Sequence, residues 1–206
     1  MPLLTLRTEN SLRRAGHATI IGVDEVGRGC LAGPVVAAAA ILPSIMPKDD
    51  ARAIIRDSKT LSAKQRAEAD AYLRRRAISF AIASASAAEV DNLNIHHASL
   101  LAMRRAIESL PIDDLTNSYL LVDGKFCVPN LIIPQKSVIH GDAKILSIAA
   151  ASILAKVYRD NLLEQLSLEY PAYGFSSHKG YGTAAHFAAI STHGLTPHHR
   201  VTFCSS

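Results

Sequence analysis

Short apolar runs along the chain predict the strands of a β-sheet. The runs at residues 18–24, 34–42, 77–85 and 119–123 are bounded by turn-forming or charged residues, as is typical of buried strands. A glycine-containing turn separates the first two runs, which predicts a hairpin. A further run at 131–139 is interrupted by Pro134, which predicts a strand at the edge of the sheet.

Longer segments with helical spacing of their apolar residues predict helices. These segments cover residues 61–76, with Thr60 or Ser62 as the N-cap, 91–110 and 184–192. The longest helix is predicted to begin at Asp142 as its N-cap and to end at Pro171. Strands come first and helices gather towards the C-terminus, which predicts an α/β fold with a mixed sheet.

The length and the uniform composition of the chain predict a single domain. No repeat, low-complexity tract or clear linker divides the 206 residues. Residues 1–17 predict a flexible tail. The pattern from about residue 171 to residue 206 predicts a small C-terminal part made of helices and loops.

Composition narrows the classes of function. Hydrophobic residues make up 49% of the chain and charged residues 19%, enough for a substantial core and too few charges for disorder. The net charge of +4 mildly favours an anionic partner. Three cysteines without a CxxC pair predict reduced thiols, and no apolar stretch reaches the roughly 20 residues that span a bilayer. We therefore expect a cytoplasmic protein without a membrane segment.

Four acidic residues follow predicted strands or open the predicted long helix. Asp24 and Glu25 end the first strand, Asp123 ends the YLLVD run and Asp142 lies in HGDAK. If the first and fourth strands are neighbours, these carboxylates converge, and oxygen ligands alone suit a hard cation such as Mg²⁺ or Mn²⁺. Singly, each has a simpler explanation: a surface turn for Asp24 with Glu25 and for Asp123, and an N-cap for Asp142.

The residues after the first acids form a Gly-Arg-Gly triplet, Gly27, Arg28 and Gly29. Successive side chains on a strand point to opposite faces, so Asp24 and Glu25 share one ion only if the backbone is distorted. The glycines supply that freedom. The triplet lacks the ending of a Walker A motif, but flexible backbone beside a cation can approach a sugar-phosphate chain closely.

Several basic and aromatic residues predict contacts with nucleic acid, each with a simpler alternative. Lys59 in DSKT is a candidate phosphate ligand or an exposed lysine. Ser152 and Lys156 lie four residues apart among alanines on the long helix, where the alternative is a snorkelling lysine. Lys179 and Tyr181 share a glycine-containing loop, and the tyrosine could stack on a base or sugar or pack at the core edge. The nine histidines match no zinc-site spacing.

Several long motifs, in this order, resemble bacterial ribonuclease HII. They are VDEVGRGCLAGPVVAAAAIL, DSKTLSAKQR, LVDG, HGDAKILSIAAASILAKVYRD and YPAYGFSSHKGYGT. The resemblance covers nearly the whole chain from about residue 20 to residue 203. It implies an RNase H-like fold, with a mixed central β-sheet flanked by helices and a small helical C-terminal part.

The resemblance also implies an activity and its residues. The activity is endonucleolysis of RNA in RNA–DNA hybrids, dependent on two divalent ions, Mg²⁺ or Mn²⁺, with incision 5′ to single ribonucleotides embedded in duplex DNA. The residues implied as catalytic and metal-binding are Asp24, Glu25, Asp123 and Asp142. The residues implied as substrate-binding are Gly27, Arg28 and Gly29, which sense the ribose 2′-hydroxyl, Tyr181, which stacks on the deoxyribose at the junction, and Lys59, Ser152, Lys156 and Lys179.

Two alternatives belong to other classes. A non-catalytic nucleic-acid binder on the same fold predicts that one of the four acids is missing, and all four are present. A different nuclease of the same fold, such as a junction resolvase, needs clustered acids but neither the GRG triplet nor the HKGY loop. The family is expected to be monomeric, and the end of this sequence shows no sliding-clamp-binding motif.

Overall fold

The structure is a computed structural model that describes residues 3–47, 54–112 and 115–204. A mixed five-stranded sheet forms its centre, with the strand order β3-β2-β1-β4-β5. This confirms the α/β fold with a mixed sheet. The strands are β1 (Thr19–Val26), β2 (Val35–Ile41), β3 (Ser79–Ala85), β4 (Ser118–Asp123) and β5 (Gln135–Val138).

The pairing of β1 with β4 places two of the predicted acids at the carboxyl ends of these neighbouring strands. β1 and β2 form the predicted antiparallel hairpin, and β3 continues the antiparallel arrangement on β2. β4 lies parallel to β1, with Val23 opposite Val122, so that Asp24 and Asp123 follow at equivalent positions. β5 pairs with β4 at the edge of the sheet, as Pro134 predicts.

Helices cover both faces of the sheet and form the C-terminal part. α2 and α3 each begin with a capping box in which a serine and a residue three positions later bond each other's backbone. α3 starts four residues earlier than predicted because Ser86, with Glu89, caps it there. The helices are α1 (Arg7–Arg14), α2 (Ala63–Arg76), α3 (Ala87–Glu108), α4 (Leu146–Glu169), α5 (Phe175–His178), α6 (Ala184–His193) and α7 (Val201–Cys204).

The long helix does not begin at Asp142, and this part of the prediction is wrong. α4 starts at Leu146 with Ile145 as its N-cap, which contributes no side-chain cap. Asp142 lies earlier, in a 3-10 turn of Gly141–Ala143 that follows the left-handed residue His140. The carboxylate of Asp142 therefore faces the acids at the ends of β1 and β4 instead of capping the helix.

A flexible tail over residues 1–17 is also not what the structure shows between residues 7 and 14. This segment forms α1, and Glu9 on it is 1% exposed. The Glu9 carboxylate accepts a hydrogen bond of 2.8 Å from the backbone N–H of Ser147, in the first turn of α4. It thereby supplies the cap that α4 lacks, and an acidic group at a helix N-terminus also complements the helix dipole.

Small residues allow α4 to lie close against the sheet. A Cβ at Gly22 would come within 2.2 Å of the Ser147 carbonyl carbon, so only glycine permits this approach. α4 and α2 share one hydrophobic cluster with β2, and α3 covers the opposite face. The beginning of α4 is thus held beside the ends of β1 and β4. Within the described ranges, no helix combines the length and hydropathy needed to cross a membrane.

Candidate active site

Three aspartates from separate elements meet at the carboxyl ends of β1 and β4. One carboxylate oxygen from each of Asp24, Asp123 and Asp142 lies within 4.8 Å of the others. Asp24 and Asp142 are each 4% exposed. The parallel pairing of the two strands positions Asp24 and Asp123, and the 3-10 turn before α4 brings in Asp142.

The protein balances the negative charges of this cluster only in part, through Lys59 beside Asp142 and Arg28 beside Glu25. Burial, followed by repulsion from Glu25, Asp123 and Asp142, raises the pKa of Asp24 well above its usual value, although a hydrogen bond with Ser152 acts in the opposite direction. Burial also raises the pKa of Glu25, and the nearby Arg28 partly offsets this. One Glu25 oxygen is buried without a hydrogen-bond partner. A bound cation would relieve both the repulsion and the unmet bonding capacity.

Glu25 is not part of the group of three converging carboxylates, in keeping with the alternation of side chains along a strand. Its carboxylate lies 3.3 Å from the Arg28 guanidinium. Together with Asp123, His96 and Phe126 it lines an adjacent cleft. The four acids therefore form a group of three with a fourth beside it. A set of carboxylates without His or Cys fits Mg²⁺ or Mn²⁺ better than zinc or copper.

Two of the candidate substrate residues lie directly against the acids. The Lys59 amine is 3.4 Å from an Asp142 oxygen, and the lysine side chain is 77% exposed. The hydroxyl of Ser152 is buried and lies 2.9 Å from that of Ser58. Because Ser152 also bonds Asp24, it lies underneath the acids rather than on the open surface.

The GRG triplet and the loop that carries Tyr181 are adjacent. Cys30 and Tyr181 form an isolated antiparallel β-bridge, and the Leu31 N–H donates to the Gly180 carbonyl at 2.8 Å. Gly27 has a φ of +91°, which favours glycine, whereas a Cβ at Gly29 would have nothing within 4 Å. The Tyr181 side chain is 43% exposed. The predicted sensor and the predicted stacking residue therefore share one surface.

The structure does not bring Lys156 and Lys179 to the acidic cluster by any described contact. The amine of Lys156 pairs with Asp160 at 2.7 Å, one turn further along α4. The amine of Lys179 pairs with Glu164, also at 2.7 Å. Both lysine side chains are less than one-fifth exposed. Each amine is therefore already neutralised by a carboxylate on α4.

Two buried arginines next to these loops are absent from the sequence-based list. Arg159 and Arg200 are both 0% exposed. Arg159 lies in the KVYRD segment of α4, and Arg200 lies in the C-terminal part that the sequence predicts to consist of helices and loops. Arginine is mostly a surface residue, so nothing in either local pattern indicates burial. The polar tripeptide HHR, which contains Arg200, is only a weak indication of a buried cluster.

Three histidines also line the underside of the Tyr181 loop. The Thr196 backbone N–H donates to Nδ1 of His199, so His199 donates from Nε2 to Nε2 of His186 at 3.0 Å. His186 in turn donates from Nδ1 to the Tyr181 carbonyl at 2.9 Å. The ring of His178 stacks on that of His186 at 4.3 Å. This chain of bonds requires His186 and His199 to be neutral.

A mixed sheet flanked by helices, with aspartates meeting at the ends of two parallel central strands, defines the class of proteins with an RNase H-like fold. Solved structures of this class share the fold. Ribonuclease H2 from Pyrococcus horikoshii OT3 matches with a TM-score of 0.74 and 24% identity over 91% of this chain and 95% of that one. Bst-RNase HIII in complex with Mn²⁺ matches with a TM-score of 0.70 and 19% identity, over 95% and 70% of the two chains.

Within this class the chain belongs to the ribonuclease HII family, whose model matches residues 21–206. Ribonuclease HII of Syntrophotalea carbinolica is 51% identical, with 95% of this chain and 90% of the relative covered. Ribonuclease HII of Parabacteroides distasonis is 50% identical, with 88% of each covered. The resemblance and the RNase H-like fold are thus confirmed.

Membership decides the class of activity. The chain is a ribonuclease H, an endonuclease of a metal-dependent family that acts on RNA–DNA hybrids. A non-catalytic binder on this fold is therefore excluded. The acidic cluster fits the metal that such a family needs.

Proposed function

We propose that this enzyme cuts RNA in RNA–DNA hybrids and also incises duplex DNA immediately 5′ of a single embedded ribonucleotide. The observation that carries the proposal is the adjacency of the aspartate cluster, the GRG triplet and Tyr181. A site that reads one ribonucleotide must test one 2′-hydroxyl next to the phosphate that it cuts. We further propose removal of ribonucleotides from DNA as the cellular role, carried out by a monomer in the cytoplasm.

The four acids are proposed to bind two divalent ions, Mg²⁺ or Mn²⁺. Asp24, Asp123 and Asp142 provide converging oxygens, and Glu25 provides a buried oxygen without a partner. When bound, the ions would supply Lewis-acid activation of a water and stabilisation of the departing 3′ oxygen, which leaves 3′-hydroxyl and 5′-phosphate ends. Before the ions bind, repulsion from the neighbouring acids disfavours the charged form of Asp24, and a bound cation would relieve this repulsion.

Recognition of the ribose is proposed for the GRG triplet and Tyr181. The open space beside Gly29 lets a sugar approach the backbone, where N–H and C=O groups can bond a 2′-hydroxyl. Arg28 is half exposed at the same place and can meet a phosphate. The ring of Tyr181 would lie against the next sugar, so that a deoxyribose after the ribonucleotide is accepted.

The remaining candidates are proposed to act on phosphates or on the acids. Lys59 is exposed beside Asp142, so its charge can balance both the acids and an incoming phosphate. Ser152 would orient Asp24 through the hydrogen bond between them. For Lys156 and Lys179, contact with a phosphate requires that each lysine exchange its carboxylate partner for the substrate. Single substitutions with binding measured at several salt concentrations would test that exchange.

One cleavage assay tests the proposal. The substrate is a DNA duplex with one ribonucleotide, incubated with Mg²⁺, Mn²⁺ or EDTA, and the control is the same duplex without the ribonucleotide. We expect a single cut 5′ of the ribonucleotide, no cut in the control and no product with EDTA. Cutting on the 3′ side, or activity in EDTA, would refute the proposed function.

Tyr181→Ala tests the proposed contact with the junction sugar. We expect cleavage of the single-ribonucleotide duplex to fall about 10- to 100-fold, because loss of an orienting contact misplaces the reacting phosphate. Binding to plain duplex DNA should change little. An equal loss in cleavage and in plain-duplex binding would argue against a role at the junction.

A further inference from the structure

Two charged side chains lie entirely inside the protein beside the GRG triplet. Arg159, on α4, and Arg200, just before α7, are each 0% exposed. Burying a guanidinium costs several kcal/mol unless its donors are satisfied. In both residues the donors reach main-chain carbonyl oxygens, and those carbonyls belong to the loops that carry the GRG triplet and Lys179.

Arg200 holds the triplet itself. Its guanidinium donates to the carbonyls of Gly27 at 2.7 Å and Arg28 at 2.9 Å. It also donates from Nε to the carbonyl of Gly33 at 3.1 Å, on the far side of the same loop. These bonds fix the orientation of the Gly27 and Arg28 peptides, and therefore the direction in which the other groups of the triplet face.

Arg159 joins the triplet's loop to the loop of Tyr181. It donates to Ala32 at 3.0 Å and Pro34 at 3.0 Å on one side, and to Lys179 at 2.8 Å on the other. A Cβ at Gly27 would come within 2.2 Å of its Nε, so the Arg159 side chain also packs directly against the triplet.

Arginine is needed here for its geometry. A guanidinium has five donors in a rigid plane and can bond several carbonyls at fixed angles, whereas an ammonium is a point charge with three rotatable donors on a flexible stem. Burial lowers the pKa of Arg200 to about 10, which still leaves it charged at neutral pH. Arg200 thus fixes the triplet's loop, and Arg159 joins that loop to the loop of Tyr181.

We propose that Arg159 and Arg200 are positioning residues that set the enzyme's preference for an isolated ribonucleotide. By fixing the triplet relative to Tyr181, they set the spacing between the site that tests a 2′-hydroxyl and the ring that meets the next sugar. This inference rests on the proposed function. A uniform RNA–DNA hybrid presents no RNA–DNA junction, so it depends less on that spacing and provides the internal comparison.

The test uses Arg200→Lys and Arg159→Lys, which keep the charge and remove the planar fork. The readout is the ratio of kcat/KM on the single-ribonucleotide duplex to kcat/KM on a uniform hybrid. We expect this ratio to fall about 10- to 100-fold, because a displacement of about 1 Å has an effect of that size. Mn²⁺ binding, measured by calorimetry, should stay unchanged, since the acids are untouched.

Arg105→Lys is the matched control. Arg105 also donates to a backbone carbonyl, that of Ser84 at 2.9 Å, and pairs with Glu89, but on α3. We expect its ratio to equal that of the wild type even if its melting temperature falls. Equal losses on both substrates in the Arg159 and Arg200 variants would show a merely structural role and overturn the inference.

Failure of the proposed function and failure of the inference about Arg159 and Arg200 give different results. If the wild type does not cut the single-ribonucleotide duplex, the proposed function fails whatever the variants do. If one lysine variant does not fold, the other decides, since each side chain bonds the triplet's loop independently. If neither folds, Gly27→Ala decides, because its methyl group would displace Arg159; an unchanged ratio there overturns the inference.

Discussion

The acidic cluster and the loops beside it solve the burial of charge in opposite ways. Asp24 is buried among like charges, and its pKa is raised well above the usual value by burial and by its neighbours. Arg200 is buried at least as deeply, but within the described residues its guanidinium donates its hydrogen bonds to carbonyl oxygens. The first region is therefore incomplete without a cation, whereas the second is complete within the chain. Under the proposed function, the chemical step uses the first region and substrate selection uses the second.

Asp123→Asn should produce the largest effect, because it breaks the incomplete region. Asp123 provides one of the three converging oxygens, and an amide keeps its shape but loses its charge. We expect cleavage to fall at least about 10³-fold, comparable to the loss of a strong electrostatic contact in other enzymes. Binding to a hybrid in the absence of metal, measured by fluorescence anisotropy, should remain. Turnover close to that of the wild type would refute the assignment.

The loops beside the acidic cluster should lose stability in acid rather than on removal of the metal. Burial, together with the repulsion that His186 would exert once protonated, lowers the pKa of His199 to about 4, whereas an unfolded histidine titrates near 6.5. Between these values the unfolded chain binds more protons, so the free energy of unfolding falls as the pH falls. The contribution is fully present above about pH 6.5 and is lost by about pH 4, and it amounts to roughly 3 kcal/mol at most.

Urea unfolding at a series of pH values measures this loss. Carboxyl groups with shifted pKa values, raised for Asp24 and lowered for Asp91, also contribute to the pH dependence, so the informative quantity is a difference between variants. His199→Asn keeps an acceptor for the Thr196 N–H and should show a flatter dependence than the wild type. His193→Asn is the control because that histidine is exposed. Parallel curves for all three proteins would contradict the neutral histidine chain.

Much of the fold and the acidic centre could be predicted from the sequence, because both depend on local patterns. Asp24 and Asp123 end apolar runs, and parallel neighbouring strands bring such ends together. Arg159 and Arg200 could not be predicted because most of their partners lie more than 100 residues away along the chain. Their burial depends on loop carbonyls that no local pattern reveals. The same reason explains why α1 was expected to be a flexible tail.

Asp24→Asn tests how the buried charge in the acidic cluster affects the stability of the metal-free protein. The raised pKa means that the folded, metal-free protein disfavours the charged form, so stability decreases as the pH rises through the range above the usual carboxyl pKa. Removing the charge should raise the free energy of unfolding of the metal-free protein at pH 7 by about 1–2 kcal/mol, while cleavage is lost. Mn²⁺ should then stabilise the variant less than the wild type in a thermal shift experiment. A less stable metal-free variant would contradict the proposed repulsion.

Glu9→Gln provides the smallest effect and the closest control, since Glu9 is also a buried acid. Unlike Asp24, it faces the N-terminus of a helix and accepts the Ser147 N–H at 2.8 Å. Glutamine keeps an acceptor but removes the charge that complements the helix dipole, so stability should fall by about 0.3–1 kcal/mol. Cleavage should be unchanged, because Glu9 lies outside the acidic cluster. The two substitutions remove the same charge with opposite effects on chemical denaturation. If Glu9→Gln instead stabilised the protein, the helix terminus would not be satisfying that charge, and burial alone would explain both acids.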